Sequence, residues 1–263
     1  MVDLDIKGKK AVVFGVADKN SVAWNIVEKL QEQGVEVALA YQERNSETVK
    51  PLVKKLSGNS FAKICDVTND SLLEEFFNEV KENFKKIDFL IHSIAFAKKE
   101  FLQDKFMDID KKGYMKSHEV SSYSLVELTK RAKPLMNKEG SIIAMSFLGS
   151  LRVSENYNIM GVCKAALEAS VRYLAKDLGS GEEQESKKIR VNAVSFSPIA
   201  TKAVSGIKDF DKSLEKHKKS SLLKRNISQE DVANAVLFLC SKLSRNITGQ
   251  TIYVDAGASV RSY

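Results

Sequence analysis

Tyr157 and Lys164 stand seven residues apart in the segment 157–178, whose periodicity predicts one long helix. At about 100° per residue, seven steps fall about 20° short of two full turns. Both side chains therefore leave the same helical face, about 10 Å apart along the axis. A phenol with an ammonium two turns away is an acid/base device. The cation stabilises the phenolate and can also hold a ligand hydroxyl. Taken alone, the same spacing describes a helix with one aromatic core contact and one solvated lysine, so the rest of the chain has to decide.

Other chemistries find no residues to carry them. Cys65, Cys163 and Cys240 lie far apart and none pairs with a His or another Cys at metal-ligand spacing, so no metal site is expected. Buried thiols in a reducing, cytoplasmic compartment are the expectation. His92, His118 and His217 have no nucleophile and carboxylate near them in sequence, which argues against a hydrolase triad. The net charge is +7, but the 41 basic residues are interleaved with 34 acidic ones along the chain. That pattern describes a solvated surface with a mild attraction for acidic partners, and no nucleic-acid face is expected. No apolar run approaches the roughly 18 residues of a membrane span. The N-terminal Met1-Val2-Asp3-Leu4-Asp5 has no apolar stretch of the kind found in signal peptides.

The elements that must position the pair alternate between strand and helix. Lys10–Gly15 is a short apolar run of the kind buried on both faces, and a helix over Ser21–Gln33 follows it. Strands are predicted at Glu36–Tyr41, Ser60–Ile64, Ile87–Ser93, Gly140–Ser146, Ile189–Ser195 and Thr251–Asp255. Helices are predicted at Ser46–Leu56, Asn69–Phe84, Ser117–Met136 and Gln229–Lys242, the last capped by Ser228. The alternation describes a doubly wound α/β fold of Rossmann type, a mostly parallel seven-stranded sheet with helices on both faces. No linker or repeat divides residues 1–263, so one domain is expected. Ser180–Lys188 is polar and reads as a surface loop. Pro198–Ser220 is weakly patterned and follows the sixth strand, at a carboxyl end of the sheet where ligands bind in such folds.

In such a sheet the turn after the first strand cradles a pyrophosphate at a helix N-terminus. Here it reads Gly15-Val16-Ala17-Asp18-Lys19-Asn20-Ser21, which is not the G-x-G-x-x-G fingerprint. The turn GVADKNSVAW, YQERN after the second strand, CDV at 65–67 and HSIAFA at 92–97 form an ordered set. It continues with SSYSL at 121–125, NYNIMGVCKAALEASVRYLAKDLG at 156–179, RVNAVS at 190–195 with Pro198-Ile199, and Gly206-Ile207. Together these resemble the enoyl-[acyl-carrier-protein] reductases of bacterial type II fatty-acid synthesis, a divergent branch of the short-chain dehydrogenase/reductases. The match covers nearly the whole chain with every motif in order.

The resemblance implies reduction of a trans-2 enoyl thioester by hydride from NADH, with Tyr157 stabilising the enolate and Lys164 holding the nicotinamide ribose. It further implies that Gly15, Ser21 and Val22 line the pyrophosphate and that Asp66 and Val67 frame the adenine. Ser93, Ile94 and Ala95 then support the ribose, with Ile199 and Thr201 at the nicotinamide. Ala97, Phe147, Tyr157, Ala203 and Ile207 face the acyl chain, and residues from about 198 to 220 form a substrate-binding lid. An acyl-carrier protein is the implied partner and a homotetramer the implied assembly.

Cofactor choice turns on Gln42-Glu43-Arg44. Gln42 and Glu43 suit a free ribose hydroxyl, whereas Arg44 alone speaks for a 2′-phosphate, so NADH is expected ahead of NADPH. Three residues depart from the family pattern. Phe147 replaces a second active-site tyrosine, and Asn25 and Ser197 replace glycines. Two alternatives stay open: a short-chain oxidoreductase acting on another enone or carbonyl, and a protein that binds NAD(H) without turnover.

Overall fold

Ala11-Val12-Val13-Phe14 is buried along its whole length, as a strand covered by helices above and below must be. In the structure, a computed structural model describing residues 3–179, 188–201 and 210–261, it forms β1 (Lys10–Phe14). Six further strands complete one parallel sheet: β2 (Glu36–Tyr41), β3 (Phe61–Ile64), β4 (Ile87–His92), β5 (Met136–Ser146), β6 (Arg190–Phe196) and β7 (Thr251–Val254). Their order is β3-β2-β1-β4-β5-β6-β7. The winding direction reverses between β1 and β4, the point where such sheets leave a crevice for a ligand.

Because successive side chains of a strand point to opposite faces, the apolar strands feed two cores. Val13, Leu39, Ile91 and Ile143 pack with Trp24, Ile26 and Leu30 of α1 (Val22–Glu32) and with Val232 and Val236 of α9 (Gln229–Cys240). Val12, Leu90 and Ile142 pack on the other face. There they meet Phe76 and Val80 of α3 (Asp70–Phe84), Leu125 and Leu128 of α6 (Ser124–Ala132), and Leu167 and Val171 of α7 (Asn158–Gly179). Each fully buried side chain of this size contributes about 1.5–3 kcal/mol from area alone. The expected cap is present, Ser228 in a reciprocal capping box with Asp231 on α9, and Ser21 caps α1 and Asn69 caps α3. The remaining helices are α2 (Ser46–Val53), α4 (Glu100–Gln103), α5 (Lys111–His118) and α8 (Phe210–Ser220).

Four sequence expectations need correction. The single helix expected over Ser117–Met136 is instead α5, a π-helical turn at Glu119–Tyr123, and α6. Serines are the cause: Ser117, Ser122 and Ser124 bond back to the carbonyls of Gly113, His118 and Val120, and such back-bonding loosens the helical ladder. The helix stops at Ala132, before Pro134, and β5 begins at Met136 instead of Gly140. α7 starts at Asn158 and not at Tyr157. Asn156 and Asn158 both have positive φ, 57° and 33°, so the chain bends on either side of Tyr157. Helix α8 occupies the second half of the segment expected to be a weakly patterned lid. The polar loop at 180–187 and lid residues 202–209, Ala203 and Ile207 among them, lie outside the described residues.

Candidate active site

Gly15 has φ 108°, and a Cβ placed there would lie 1.9 Å from the Ser93 carbonyl oxygen. Only glycine permits that approach. The Ser93 amide donates to the Phe14 carbonyl at 3.1 Å, so the turns after β1 and β4 meet at the reversal point of the sheet. Ser21 donates to the Asp18 carbonyl at 2.7 Å and accepts from the Trp24 amide at 3.4 Å, which fixes the start of α1. The Val22 and Ala23 amides precede the first bonds of that helix, a setting suited to a phosphate. Val22 gives its side chain to the core, so only its backbone can serve a ligand. Asn25 is accommodated inside α1, where its amide donates to the Ser21 carbonyl at 3.2 Å. Neither Asn25 nor Ser197 has positive φ, so neither replaced glycine leaves left-handed strain.

At the ends of β2 and β3, the Gln42 side-chain amide donates to Asp66 Oδ2 at 3.3 Å. The other Asp66 oxygen accepts from the Thr68 amide and hydroxyl at 2.9 and 2.8 Å. Two residues expected near the adenosine are thus joined, with half-buried Val67 beside them packing into the core. Glu43 and Arg44 project from a short 3₁₀ turn and are exposed.

Lys164 is only 4% exposed, and its Nζ donates to the Met145 carbonyl at 2.7 Å and the Ile94 carbonyl at 3.4 Å. The ammonium thereby bridges the end of β5 and the loop after β4, where Ser93 and Ile94 are half-buried and Ala95 is exposed. Burial pushes its pKa down to about 8. Tyr157 is half-buried at the threshold of α7, its ring centroid 4.6 Å from that of Phe147 at 58°. Burial first, and the Cys163 thiol second, push the phenol well above its ordinary value. The downward bias expected from the lysine does not enter, and Tyr157 is a neutral hydrogen-bond donor at pH 7. Ala97 packs at the edge of a small cluster of Phe101, Leu102, Ile159, Met160 and Cys163. Ile199 is buried in the main core, so it forms floor, while Thr201 remains half-exposed.

Sequence reasoning passed over several neighbours of the pair. His92 is fully buried, with Nε2 2.7 Å from the Ser124 hydroxyl, which itself donates to the Val120 carbonyl. That network assigns the His92 proton to Nε2. Burial first, then the Lys164 charge, push its pKa down to about 3, so the imidazole is neutral. Ser121, in the π turn, accepts from the Phe96 amide at 2.9 Å and lies 3.1 Å from the Phe96 carbonyl. The loop over 93–97 is therefore gripped from the helix side. A run of serines where apolar helix residues belong was the available signal. Among the described residues no cluster of His, Cys, Asp or Glu could hold a metal ion, and no helix is long and apolar enough to cross a membrane.

Comparison with known proteins decides between the readings this geometry allows. A family model described as Enoyl-(Acyl carrier protein) reductase matches residues 15–259. The chain belongs to that family. Similar relatives include the enoyl-[acyl-carrier-protein] reductase [NADH] FabI of Rickettsia prowazekii, 42% identical over 97% of this chain and 95% of its own. The Bacillus subtilis FabI is 40% identical over 97% of this chain and 98% of its own. Among solved structures, the Anaplasma phagocytophilum reductase in complex with NAD superposes with a TM-score of 0.91 at 40% identity, covering 98% of this chain and 96% of that one. The Bacillus cereus reductase with NADP+ and an indole naphthyridinone does so with 0.93 at 38% identity, covering both chains fully.

Proposed function

We propose that this chain reduces the trans-2 double bond of enoyl-acyl-carrier-protein thioesters, using NADH, in the last step of fatty-acid elongation. What supports the reading most is the Lys164 ammonium, bonded at once to the carbonyls of Ile94 and Met145 beside the crevice between β1 and β4. When bound, NADH would supply hydride to the β-carbon of the enoyl chain, and a proton from solvent at the α-carbon completes the reduction. The chain's own residues handle the charge that results. Tyr157, a neutral phenol, donates a hydrogen bond to the thioester oxygen as it becomes an enolate, where a preorganised donor has most effect. Lys164 holds the nicotinamide ribose hydroxyls and keeps a positive charge near that oxygen. Gly15, Ser21 and the Val22 amide take the pyrophosphate. Gln42, with its amide nitrogen committed to Asp66, offers its carbonyl oxygen to a ribose hydroxyl. Ser93, Ile94, Ala95, Ile199 and Thr201 line the nicotinamide half, and Asp66 and Val67 the adenine.

Ala97, Phe147, Ala203 and Ile207 form the acyl side, beneath a lid over about 198–220 that excludes water on closing. Phenylalanine at 147 favours one second reading, a short-chain oxidoreductase of the same architecture acting on another enone or carbonyl, because a polar contact to the thioester is lost there. One domain, a homotetramer and a cytoplasmic location belong to the same proposal. The test is loss of NADH absorbance with a panel of enoyl thioesters and simple ketones. Turnover of the thioesters supports the reading, and turnover of ketones alone rejects it.

A further inference from the structure

Helix α7 buries an apolar stripe of Ile159, Met160, Cys163, Leu167 and Val171, and two ionisable residues interrupt it one turn apart, Lys164 and Glu168. A carboxylate is expensive in such a stripe unless something there needs it. Glu168 is 4% exposed, and its Oε1 accepts from the Ser146 hydroxyl at 2.5 Å and the Ser150 hydroxyl at 2.8 Å. Those serines bracket Phe147-Leu148-Gly149, the short segment that walls Tyr157. Within it the Phe147 ring lies 4.6 Å from the tyrosine ring. A Cβ on Gly149 would sit 2.6 Å from Tyr157 Cδ1, and one on Gly161 would sit 2.8 Å from the Gly149 carbonyl oxygen. The segment is thus pressed against both the tyrosine and the first turn of α7, and a single carboxylate oxygen fastens its two ends.

We propose that Glu168 is a positioning residue for the reaction, a clamp that holds residues 146–150 against Tyr157 through the hydroxyls of Ser146 and Ser150. It touches neither substrate nor cofactor. It acts by limiting where the phenol can point, and small displacements of a donor carry a large cost in rate. The inference rests on the enoyl-reductase reading only for its kinetic consequence.

Glu168→Ala, Glu168→Gln and the double variant Ser146→Ala/Ser150→Ala test it by two readouts on the full chain. Amide hydrogen exchange over residues 146–157 rises roughly tenfold in Glu168→Ala and in the serine pair, as expected when buried hydrogen bonds of a local unit are lost. Turnover of a crotonyl thioester drops about tenfold or more in kcat, with KM for NADH within about twofold, because binding of the cofactor is not what the clamp serves. Glu168→Gln keeps an acceptor oxygen and restores both readouts to near the parent values. Unchanged exchange in Glu168→Ala overturns the proposal. So does a Gln variant that falls as far as the Ala variant, or a loss carried by the KM for NADH. If Glu168→Ala does not fold, the serine pair decides alone by the same two numbers. A parent protein without thioester turnover rejects the enzymatic reading, while the exchange readout still decides the clamp.

Discussion

At Tyr157 and Lys164 the same cause, removal from water, moves two pKa values in opposite directions and assigns two roles. The phenol goes up and stays protonated, and the ammonium comes down to about 8. Tyr157→Phe is expected to lower kcat by about 10²–10³, the range seen when one oxyanion donor is removed, with NADH binding little changed. Stopped assays with saturating NADH measure it. For Lys164 the sign follows from the lowered value: the cation is present below about pH 8 and lost above it. The ratio kcat/KM should therefore fall as pH rises through that region, and a flat profile up to about pH 10 would contradict the role given to the charge. Both residues were legible in the sequence as a spacing. Their electrostatics were not, because burial is set by other segments, the end of β5 with Met145 and Phe147 and the loop after β4 with Ile94, the latter 70 residues from Lys164 in sequence.

At the scale of elements, strand patterns told most of the story: continuous apolar runs became central parallel strands with boundaries shifted by a residue or two, except β5, which starts four residues early. The helices misled where side chains competed with the backbone. Ser117, Ser122 and Ser124 turned an expected straight helix into two helices joined by a π turn, whose Ser121 grips the loop carrying Ser93, Ile94 and Ala95. Removing the grip with Ser121→Ala leaves the Phe96 amide and carbonyl without this partner. An increase of several-fold in KM for NADH is expected from fluorescence titration and steady-state kinetics, with kcat reduced less. The Glu168 clamp was also written in the sequence, as a charged residue at core periodicity one turn past Lys164, but its serine partners come from another strand and turn.

For the molecule as a whole, one buried histidine ties the active-site end of the sheet to its acid stability. His92 is neutral in the fold with its pKa down at about 3, against an ordinary 6.5. Below pH 6.5 the unfolded chain takes up a proton that the folded one refuses. Stability present above that pH is therefore lost as pH falls toward 3, by at most about 1.4 kcal/mol per pH unit for this group. Urea midpoints at about pH 7 and pH 5 should converge in His92→Gln relative to the parent; equal declines in both proteins would remove His92 from the explanation. Fold and family were within reach of the sequence because motif order runs through the whole chain. Helix α8 at Phe210–Ser220 was not, since Pro198–Ser220 carries only a weak pattern in the sequence.

On the proposed reading cofactor preference is also a whole-molecule property, resting on Gln42 and Asp66 just past neighbouring strands, and a lower KM for NADH than for NADPH is expected in steady-state kinetics. The most direct measurement pairs NADH-dependent reduction of a crotonyl thioester with NADH binding, in the parent and in Tyr157→Phe. Steady turnover is expected in the parent and, in the variant, intact binding with turnover reduced about a hundredfold or more. A variant that turns over as fast as the parent would contradict it.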